Sequence, residues 1–223
     1  MSIVTIDEII RHKHKNTKNK DGTDAKLPVK KHVAEIIPNV LWIGSLDGAY
    51  YEPFWRKHDI KAILNVSSLE PFMESIFKML DYHIKYKTTT IDSPISDLPF
   101  DTTTNTVEKF FQMLFTAVNF IDEMITNVET PIIVHCHSGM NRSAACIAAY
   151  MIFHMNMTSE EAIDSIRIAN DRRDIKVLTN ADYVFALAYY NAYHNFRLHP
   201  NNQQMGFLCR QSIQLIERSC IKT

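Results

Sequence analysis

The chain has 223 residues, 46% of them hydrophobic and only 5 of them glycine, which suits one globular domain with extensions and leaves enough apolar side chains for a core. The formal charge is −1 in total, but residues 1–31 carry +4 and residues 197–223 carry +3, so residues 32–196 carry −8. An acidic body of this kind argues against a nucleic-acid-binding domain.

The sequence offers no segment suited to a membrane. Its longest unbroken apolar stretch, residues 144–153, is ten residues long and too short to span a bilayer, and no basic-then-apolar leader opens the sequence. We therefore expect neither secretion nor membrane insertion. The four cysteines form no CxxC pair, which favours reduced thiols in a cytoplasmic compartment. They are Cys136, Cys146, Cys209 and Cys220.

Residues 1–16 are predicted to form a separate helix. Thr5 and Glu8 have the spacing of a capping box, and a short stripe of isoleucines follows them. Residues 11–31 are polar and basic, which is typical of a linker. Because a short helix is marginal alone, two interpretations stay open: a loosely attached arm, or a helix that packs on a second subunit and makes a homodimer.

The body alternates predicted strands with predicted helices from about residue 36 onwards. Such alternation indicates an α/β fold, with a central, largely parallel sheet flanked by helices and the N-terminal helical arm outside it. Short apolar segments between turn signals predict strands over residues 39–44, 61–66 and 131–135, with a weaker pattern over 83–91. Apolar side chains at helical spacing predict a helix over residues 105–126, and an alanine-rich stretch that is apolar nearly all round predicts a buried helix over 143–155. The capping-box spacing of Thr158 and Glu161 predicts a helix that continues to about residue 168, and an aromatic-rich segment predicts the last helix over 180–196. Residues 197–223 form a C-terminal extension in which a further helix is predicted over 207–219.

The segment from residue 131 to residue 143, PIIVHCHSGMNRS, carries the chemistry. A buried strand ends at His135 and a helix begins near Arg142, so the chain must turn sharply between them, with Gly139 supplying backbone freedom. In such a turn, successive backbone N–H groups point inward beside a helix N-terminus and form an anion site. The same field favours a thiolate at Cys136, and the Arg142 guanidinium suits bidentate contact with phosphate oxygens. A thiolate inside a phosphate cradle indicates covalent phosphoryl transfer.

The pattern His135-Cys136-x5-Arg142-Ser143 resembles the signature of the cysteine-based dual-specificity protein phosphatases, in their small single-domain branch. The resemblance extends over residues 36–196 and is carried by IPNVLWIGSLDGA at 37–49, AILNVS at 62–67 and SEEAIDSIR at 159–167. The layout is most similar to viral members, which are small enzymes with an N-terminal helix used for dimerisation. The resemblance implies a cysteine-phosphatase fold with residues 32–196 as the catalytic domain, and no cofactor.

The resemblance also implies residue roles. Cys136 is expected to attack phosphorus and carry the phosphoryl group, Arg142 to bind its oxygens, and Ser143 to hydrogen-bond the sulfur and ease its departure. His135 is expected to support the loop structurally rather than to donate a proton, and Asn141 to brace the loop through its side chain. The residues whose backbone amides are expected to bind phosphate are His137, Ser138, Gly139, Met140, Asn141 and Arg142.

The family uses an aspartate upstream of the cysteine as the general acid, and residues 91–104 offer three candidates. Asp101 lies just before the helix predicted over 105–126, which is the family's placement and our preferred assignment, although that helix must absorb about one extra turn. Asp92, which follows the predicted strand over 83–91, and Asp97 stay open as alternatives.

The leading interpretation is a cytoplasmic phosphatase, in host cytoplasm or a virion if viral, that acts on phosphotyrosine and phosphoserine/threonine in proteins. Two alternatives keep the same loop. Phosphatases of RNA 5′-phosphates resemble the chain less, because they favour threonine where Ser143 stands, and phosphoinositide phosphatases commonly carry lysine inside the loop, which residues 137–141 lack. A third alternative is a phospho-binding module with little turnover.

Two further sets of residues have plain structural interpretations. The ten histidines are scattered without ligand spacing, so no metal site is expected. Arg172 and Arg173 either face substrate phosphate or cap the helix that precedes them, and the cap is our preferred interpretation.

Overall fold

The computed structural model describes residues 31–67, 84–88 and 104–198. These residues build a five-stranded sheet from β1 (Val33–Ile37), β2 (Leu41–Gly44), β3 (Ala62–Asn65), β4 (Lys85–Thr88) and β5 (Ile132–His135). The strand order is β1-β2-β5-β3-β4. Strands β2, β5, β3 and β4 run parallel to one another, and β1 pairs antiparallel with β2 at one edge. The predicted α/β fold with a largely parallel central sheet is confirmed.

Helices flank both faces of the sheet. They are α1 (Leu46–Ala49), α2 (Glu52–His58), α3 (Thr104–Asp122), α4 (Arg142–Met155), α5 (Ser159–Asn170) and α6 (Ala181–Leu198). Helix α3 continues into one π-helical turn, Glu123–Asn127, and α5 leads into a 3-10 turn, Asp171–Arg173.

The central strands supply side chains to two separate cores. Ile43 and Val134 belong to the larger core, which α3, α4, α5 and α6 cover, whereas Trp42 and Ile133 belong to the smaller core around Trp55 of α2. Successive residues of a strand point to opposite faces, so a strand that is covered on both faces must be apolar throughout. This is why β2, β3 and β5 are continuous apolar runs in the sequence.

The sequence locates most of these elements within one or two residues of their ends. Predicted strands 39–44, 61–66, 131–135 and 83–91 correspond to β2, β3, β5 and β4, and the four predicted helices correspond to α3, α4, α5 and α6. Three elements are not predicted: the edge strand β1 and the short helices α1 and α2. In β1 the exposed Glu35 interrupts the apolar pattern of the sequence. The pairing of β1 with β2 is also irregular, with a shift in register between Glu35 and Ile37.

Several predictions concern residues outside those that the structure describes. These are the N-terminal helix over residues 1–16, the linker up to residue 30 and the C-terminal helix over 207–219. Within the described ranges, no helix combines the length and hydropathy that a bilayer crossing requires.

Candidate active site

The loop after β5 lies at the carboxyl edge of the parallel strands. Gly44 of β2 and Asn65 of β3 flank His135 of β5 in the sheet register. Cys136 follows His135 directly, and α4 begins at Arg142. Ligand sites of open parallel sheets form at this edge, outside the strand ends. The structure therefore brings the predicted loop residues and Arg142 together where a ligand site is expected.

Every backbone carbonyl from Cys136 to Asn141 accepts a hydrogen bond from a donor outside the loop. In a trans peptide the C=O and N–H groups point in opposite directions. The N–H groups of residues 137–142 therefore point away from these outer donors, an arrangement in which successive N–H groups can hold an anion. The contacts are His135 Nδ1 to Cys136 O (3.3 Å), Leu46 N to His137 O (2.9 Å), Arg173 Nη2 to Ser138 O (3.2 Å), Arg173 Nη1 to Gly139 O (3.0 Å), Leu178 N to Met140 O (3.0 Å) and Ala145 N to Asn141 O (2.8 Å).

Gly139 meets two separate demands of the loop. Its φ of +68° lies in the left-handed region, which glycine adopts at no steric cost. A Cβ at this position would lie 2.5 Å from Arg173 Nη2 and 2.6 Å from Gly44 O. The loop therefore needs glycine here for both its backbone conformation and its close packing.

Cys136 is 3% exposed, and its Sγ lies 3.4 Å from Ser143 Oγ. Burial alone would raise the pKa of the thiol. This effect of burial on the pKa is opposed by the Ser143 hydroxyl and backbone N–H, the Arg142 charge and the Gly139 N–H. The pKa of Cys136 is lowered overall. Because a thiolate can only accept hydrogen bonds, these donors stabilise the nucleophilic form of the sulfur.

The loop residues differ in how far they face solvent. His137 and Ser138 are exposed, Met140 and Asn141 are half-buried, and Gly139 is buried. Asn141 Oδ1 accepts hydrogen bonds from Thr179 N at 3.1 Å and Asn180 N at 3.4 Å, which tie the loop to the start of α6.

His135 is fully buried beneath the loop, and its ring packs edge-on against Tyr50 with centroids 5.1 Å apart. Its Nδ1 carries a proton, because the Cys136 carbonyl that it contacts can only accept. Burial lowers the pKa of His135 to about 4, which outweighs the opposite effect of this hydrogen bond. The imidazole is therefore neutral near pH 7, and its Nε2 has no hydrogen-bond partner among the described residues.

Arg173 makes contacts that the sequence does not predict. Its side chain is 1% exposed and bonds Asn170 Oδ1 at 2.9 Å, as a cap would, but the other contacts of its Nη atoms are the two loop carbonyls. The interpretation of Arg173 as only a helix cap is wrong, whereas the neighbouring Arg172 is exposed. No local pattern could reveal this role, because the contacts join residues 34 and 35 positions apart.

A second support that the sequence analysis does not identify is Asn65, which is fully buried beside His135. Its Nδ2 donates to Tyr86 Oη at 2.8 Å, and its Oδ1 accepts from Ser67 N at 2.8 Å and Ser67 Oγ at 2.6 Å. The next residue, Val66, donates its N–H to His135 O at 2.8 Å. These bonds fix the end of β3 against the strand that leads into the loop.

The three candidate general acids, Asp92, Asp97 and Asp101, lie outside the described residues. Within the described ranges, no group of three or more His, Cys, Asp and Glu side chains comes together as metal ligands would.

The site thus combines a parallel sheet, a buried cysteine of lowered pKa at the end of its central strand, and a turn into a helix that begins at Arg142. The family profile described as dual specificity phosphatase, catalytic domain, matches residues 41–192. The chain belongs to the dual-specificity phosphatase family.

Individual relatives agree with this assignment. Human dual specificity protein phosphatase 9 is 32% identical over 148 residues, which are 66% of this chain and 32% of the relative, so the match spans about a third of that protein. The crystal structure of DUSP15 is similar with a TM-score of 0.53 and 17% identity, covering 82% of this chain and 96% of that chain. A mouse putative dual specificity phosphatase complexed with zinc tungstate gives a TM-score of 0.55 and 19% identity, covering 80% and 96%. The two crystal structures show the likeness of fold.

Proposed function

We propose that the chain is a protein phosphatase that hydrolyses phosphotyrosine and phosphoserine/threonine through a cysteinyl-phosphate intermediate. The observation that carries the proposal is the Cys136 thiol, with its lowered pKa, inside a loop whose carbonyls are all bonded outward. A thiolate within a cradle of N–H donors is suited to attack a phosphoryl group while the donors hold its equatorial oxygens.

In the first step, Cys136 Sγ attacks phosphorus, and an S–P bond forms as the P–O bond to the leaving alcohol or phenol breaks. Arg142 and the loop N–H groups bind the oxygens of the phosphoryl group as they gather charge. The leaving oxygen needs a proton, for which we propose Asp101 as the donor.

In the second step, water attacks the cysteinyl phosphate after losing a proton to the same aspartate. An O–P bond forms, the S–P bond breaks and inorganic phosphate leaves. Ser143 Oγ, which lies 3.4 Å from the sulfur, donates to the departing thiolate. His135 takes no part in proton transfer, because burial lowers its pKa to about 4 and its Nδ1 proton is bound to the Cys136 carbonyl.

Phosphate release from an aryl phosphate between about pH 5 and pH 8 tests the proposal. We expect turnover by the native chain, none by Cys136→Ser, and a loss of roughly two to three orders of magnitude in Arg142→Lys, which keeps the charge but loses the fork. No turnover of aryl phosphates or of phosphopeptides, together with turnover of RNA 5′-phosphates or phosphoinositides, would redirect the proposal to those substrates. Stable phosphopeptide binding without any turnover would instead indicate a binding module.

The general-acid assignment has its own test. A general acid must be protonated to act, so the native rate should fall as pH rises past the pKa of that group. Asp101→Asn should lose roughly two orders of magnitude in kcat and lose this alkaline fall, whereas the matched variants Asp92→Asn and Asp97→Asn should keep both. If Asp92→Asn or Asp97→Asn instead loses kcat and the alkaline fall, the general acid is that residue and not Asp101.

We also propose that residues 1–16 form a helix that joins two chains into a homodimer. The proposal rests on the capping-box spacing of Thr5 and Glu8 and on the isoleucine stripe that follows. Light scattering should give a dimer mass for the full chain and a monomer mass after deletion of residues 1–16. Equal masses before and after the deletion would contradict it.

A further inference from the structure

The loop carbonyls have two kinds of donor. Leu46, Leu178 and Ala145 donate backbone N–H groups, which no substitution except proline removes, whereas His135 and Arg173 donate from side chains. Arg173 alone holds two consecutive carbonyls, those of Ser138 and Gly139, and it reaches them from beyond the end of α5.

Each carbonyl that Arg173 holds belongs to a peptide unit whose N–H faces the other way. The Ser138 carbonyl shares its unit with the Gly139 N–H, and the Gly139 carbonyl shares its unit with the Met140 N–H. The Gly139 N–H is one of the donors that lower the pKa of Cys136. One guanidinium is therefore joined to the catalytic sulfur through a single peptide unit.

Gly139 makes this peptide unit easy to rotate unless something holds it. Glycine populates positive and negative φ about equally, so a loop with glycine at this position has other accessible orientations of both neighbouring peptides. The Arg173 fork contacts both carbonyls at once, at 3.2 Å and 3.0 Å, and a guanidinium presents its donors in a fixed plane. Rotation of either peptide would break one of these two bonds and leave the buried guanidinium with one acceptor fewer, which is costly.

The partners of Arg173 among the described residues are neutral oxygens: two carbonyls and the Asn170 amide. Burial lowers the pKa of Arg173 to about 10, so its guanidinium stays charged near pH 7. A buried cation bonded only to neutral acceptors favours an anion nearby. The thiolate of Cys136 or a bound phosphoryl group would supply that anion on the inner side of the loop.

We propose that Arg173 is a positioning residue that sets the Gly139 and Met140 N–H groups toward the nucleophile and the phosphoryl oxygens. This inference rests on the proposed function. It predicts that loss of Arg173 changes the acidity of Cys136 and the affinity of the loop for phosphate, although the hydrogen bonds of Arg173 go to Ser138 O, Gly139 O and Asn170 Oδ1 and not to the sulfur.

The test measures two quantities. The first is the midpoint, the pH at which Cys136 reacts with iodoacetamide at half its maximal rate, with the alkylated residue identified by peptide mass. The second is the protection of Cys136 against this alkylation by inorganic phosphate. The variants are Arg173→Met, Arg173→Lys and, as the matched control, the exposed neighbour Arg172→Gln. The other titratable groups that act on Cys136 or border it are Arg142, Cys146, Tyr183 and His135. Burial raises the pKa of Cys146 and of Tyr183 and lowers the pKa of His135. These groups and His137 are present in every variant, so they do not account for a difference between variants.

We expect the midpoint for Arg173→Met to rise by roughly one pH unit, phosphate protection to weaken about tenfold, and kcat on an aryl phosphate to fall about a hundredfold. Arg173→Lys keeps the charge but not the fork, and should shift the midpoint part of the way. Arg172→Gln should match the native chain. A folded Arg173→Met with the midpoint and protection of Arg172→Gln would overturn the inference.

Thermal unfolding of each variant shows whether it folds. If Arg173→Met does not fold, Arg173→Lys decides, and a native midpoint in that variant overturns the inference. Alkylation and phosphate protection need no turnover. A native chain that hydrolyses nothing would therefore contradict the proposed function alone, whereas a Cys136 midpoint unmoved by Arg173 substitutions would contradict the positioning role alone.

Discussion

At the scale of single residues, the contact between Ser143 Oγ and Cys136 Sγ governs how easily the sulfur holds and releases negative charge. Ser143 is fully buried at the start of α4, and its hydroxyl lowers the pKa of Cys136. Ser143→Ala should raise that pKa and slow breakdown of the cysteinyl phosphate about tenfold, which is the effect of one lost hydrogen bond to a charged group. A burst of phenol release ahead of the steady rate would show the slower second step.

Ser165→Ala, on α5, is the control for the Ser143 variant and should leave both the burst and the pH midpoint of alkylation unchanged. Identical burst amplitudes in Ser143→Ala and in the native chain would contradict the role given to this hydroxyl.

The buried His135 makes the stability of the fold dependent on pH. Its pKa is about 4 in the folded chain, below the ordinary value of 6.5, because burial disfavours the charged ring. As pH falls through this interval the unfolded chain binds the proton first, so stability is lost between pH 6.5 and 4, by roughly 3 kcal/mol in all. Urea unfolding of His135→Gln should show a flatter acid dependence than the native chain.

The variant Ser165→Ala on α5 provides the comparison for this prediction, because it removes no titratable group. Ser165→Ala should keep the native acid dependence. An equal slope in His135→Gln and the native chain would show that the buried imidazole is not the group responsible.

The sequence reveals the residues of the loop because they are contiguous. Cys136, Gly139, Arg142 and Ser143 lie between one strand and one helix, so their chemistry follows from local order. Arg173, by contrast, reaches the loop only after the chain has passed through α4 and α5, and the pattern around it is that of an ordinary helix end. Its burial, rather than its sequence context, identifies it.

At the scale of elements, α5 owes its first turn to a complete capping box. Thr158 Oγ1 accepts from Glu161 N at 3.2 Å, and Glu161 Oε2 accepts from Thr158 N at 2.8 Å. Thr158→Ala should lower the free energy of unfolding by about 1 kcal/mol, whereas Ser159→Ala, one residue on, should have little effect. Because the box lies at the opposite end of α5 from Arg173, the alkylation midpoint of Cys136 should not move. A shifted midpoint would mean that fraying of α5 reaches the loop.

Helices that carry their signals within a short stretch of sequence could be predicted, and the shortest helices could not. Helix α5 has its start signal and its apolar stripe within a dozen residues, α3 has a long periodic pattern, α4 is a long alanine-rich apolar stretch and α6 is rich in aromatic residues. The helix α1 spans four residues and α2 seven, too few for a period to register. Their positions depend on the smaller core, where Trp55 of α2 packs fully buried.

At the scale of the whole molecule, two cores hold the sheet from opposite sides and leave its carboxyl edge for the loop. The larger core fixes α4, which begins in the loop at Arg142, and the smaller core fixes the segment that supplies Leu46 N. Loop donors therefore come from elements anchored on both faces of the sheet. We therefore expect the loop to need little reorganisation when it binds the phosphoryl group of the proposed substrates.

Under the proposed function, Cys136 carries the phosphoryl group. The sharpest test is rapid quenching during turnover of a phosphotyrosine peptide and of a phosphothreonine peptide, followed by peptide mass analysis. We expect one phosphoryl group on the peptide that contains Cys136 with both substrates, with accumulation in Ser143→Ala and none in Cys136→Ser. Turnover retained by Cys136→Ser, or native turnover with the phosphoryl group on another residue, would contradict it.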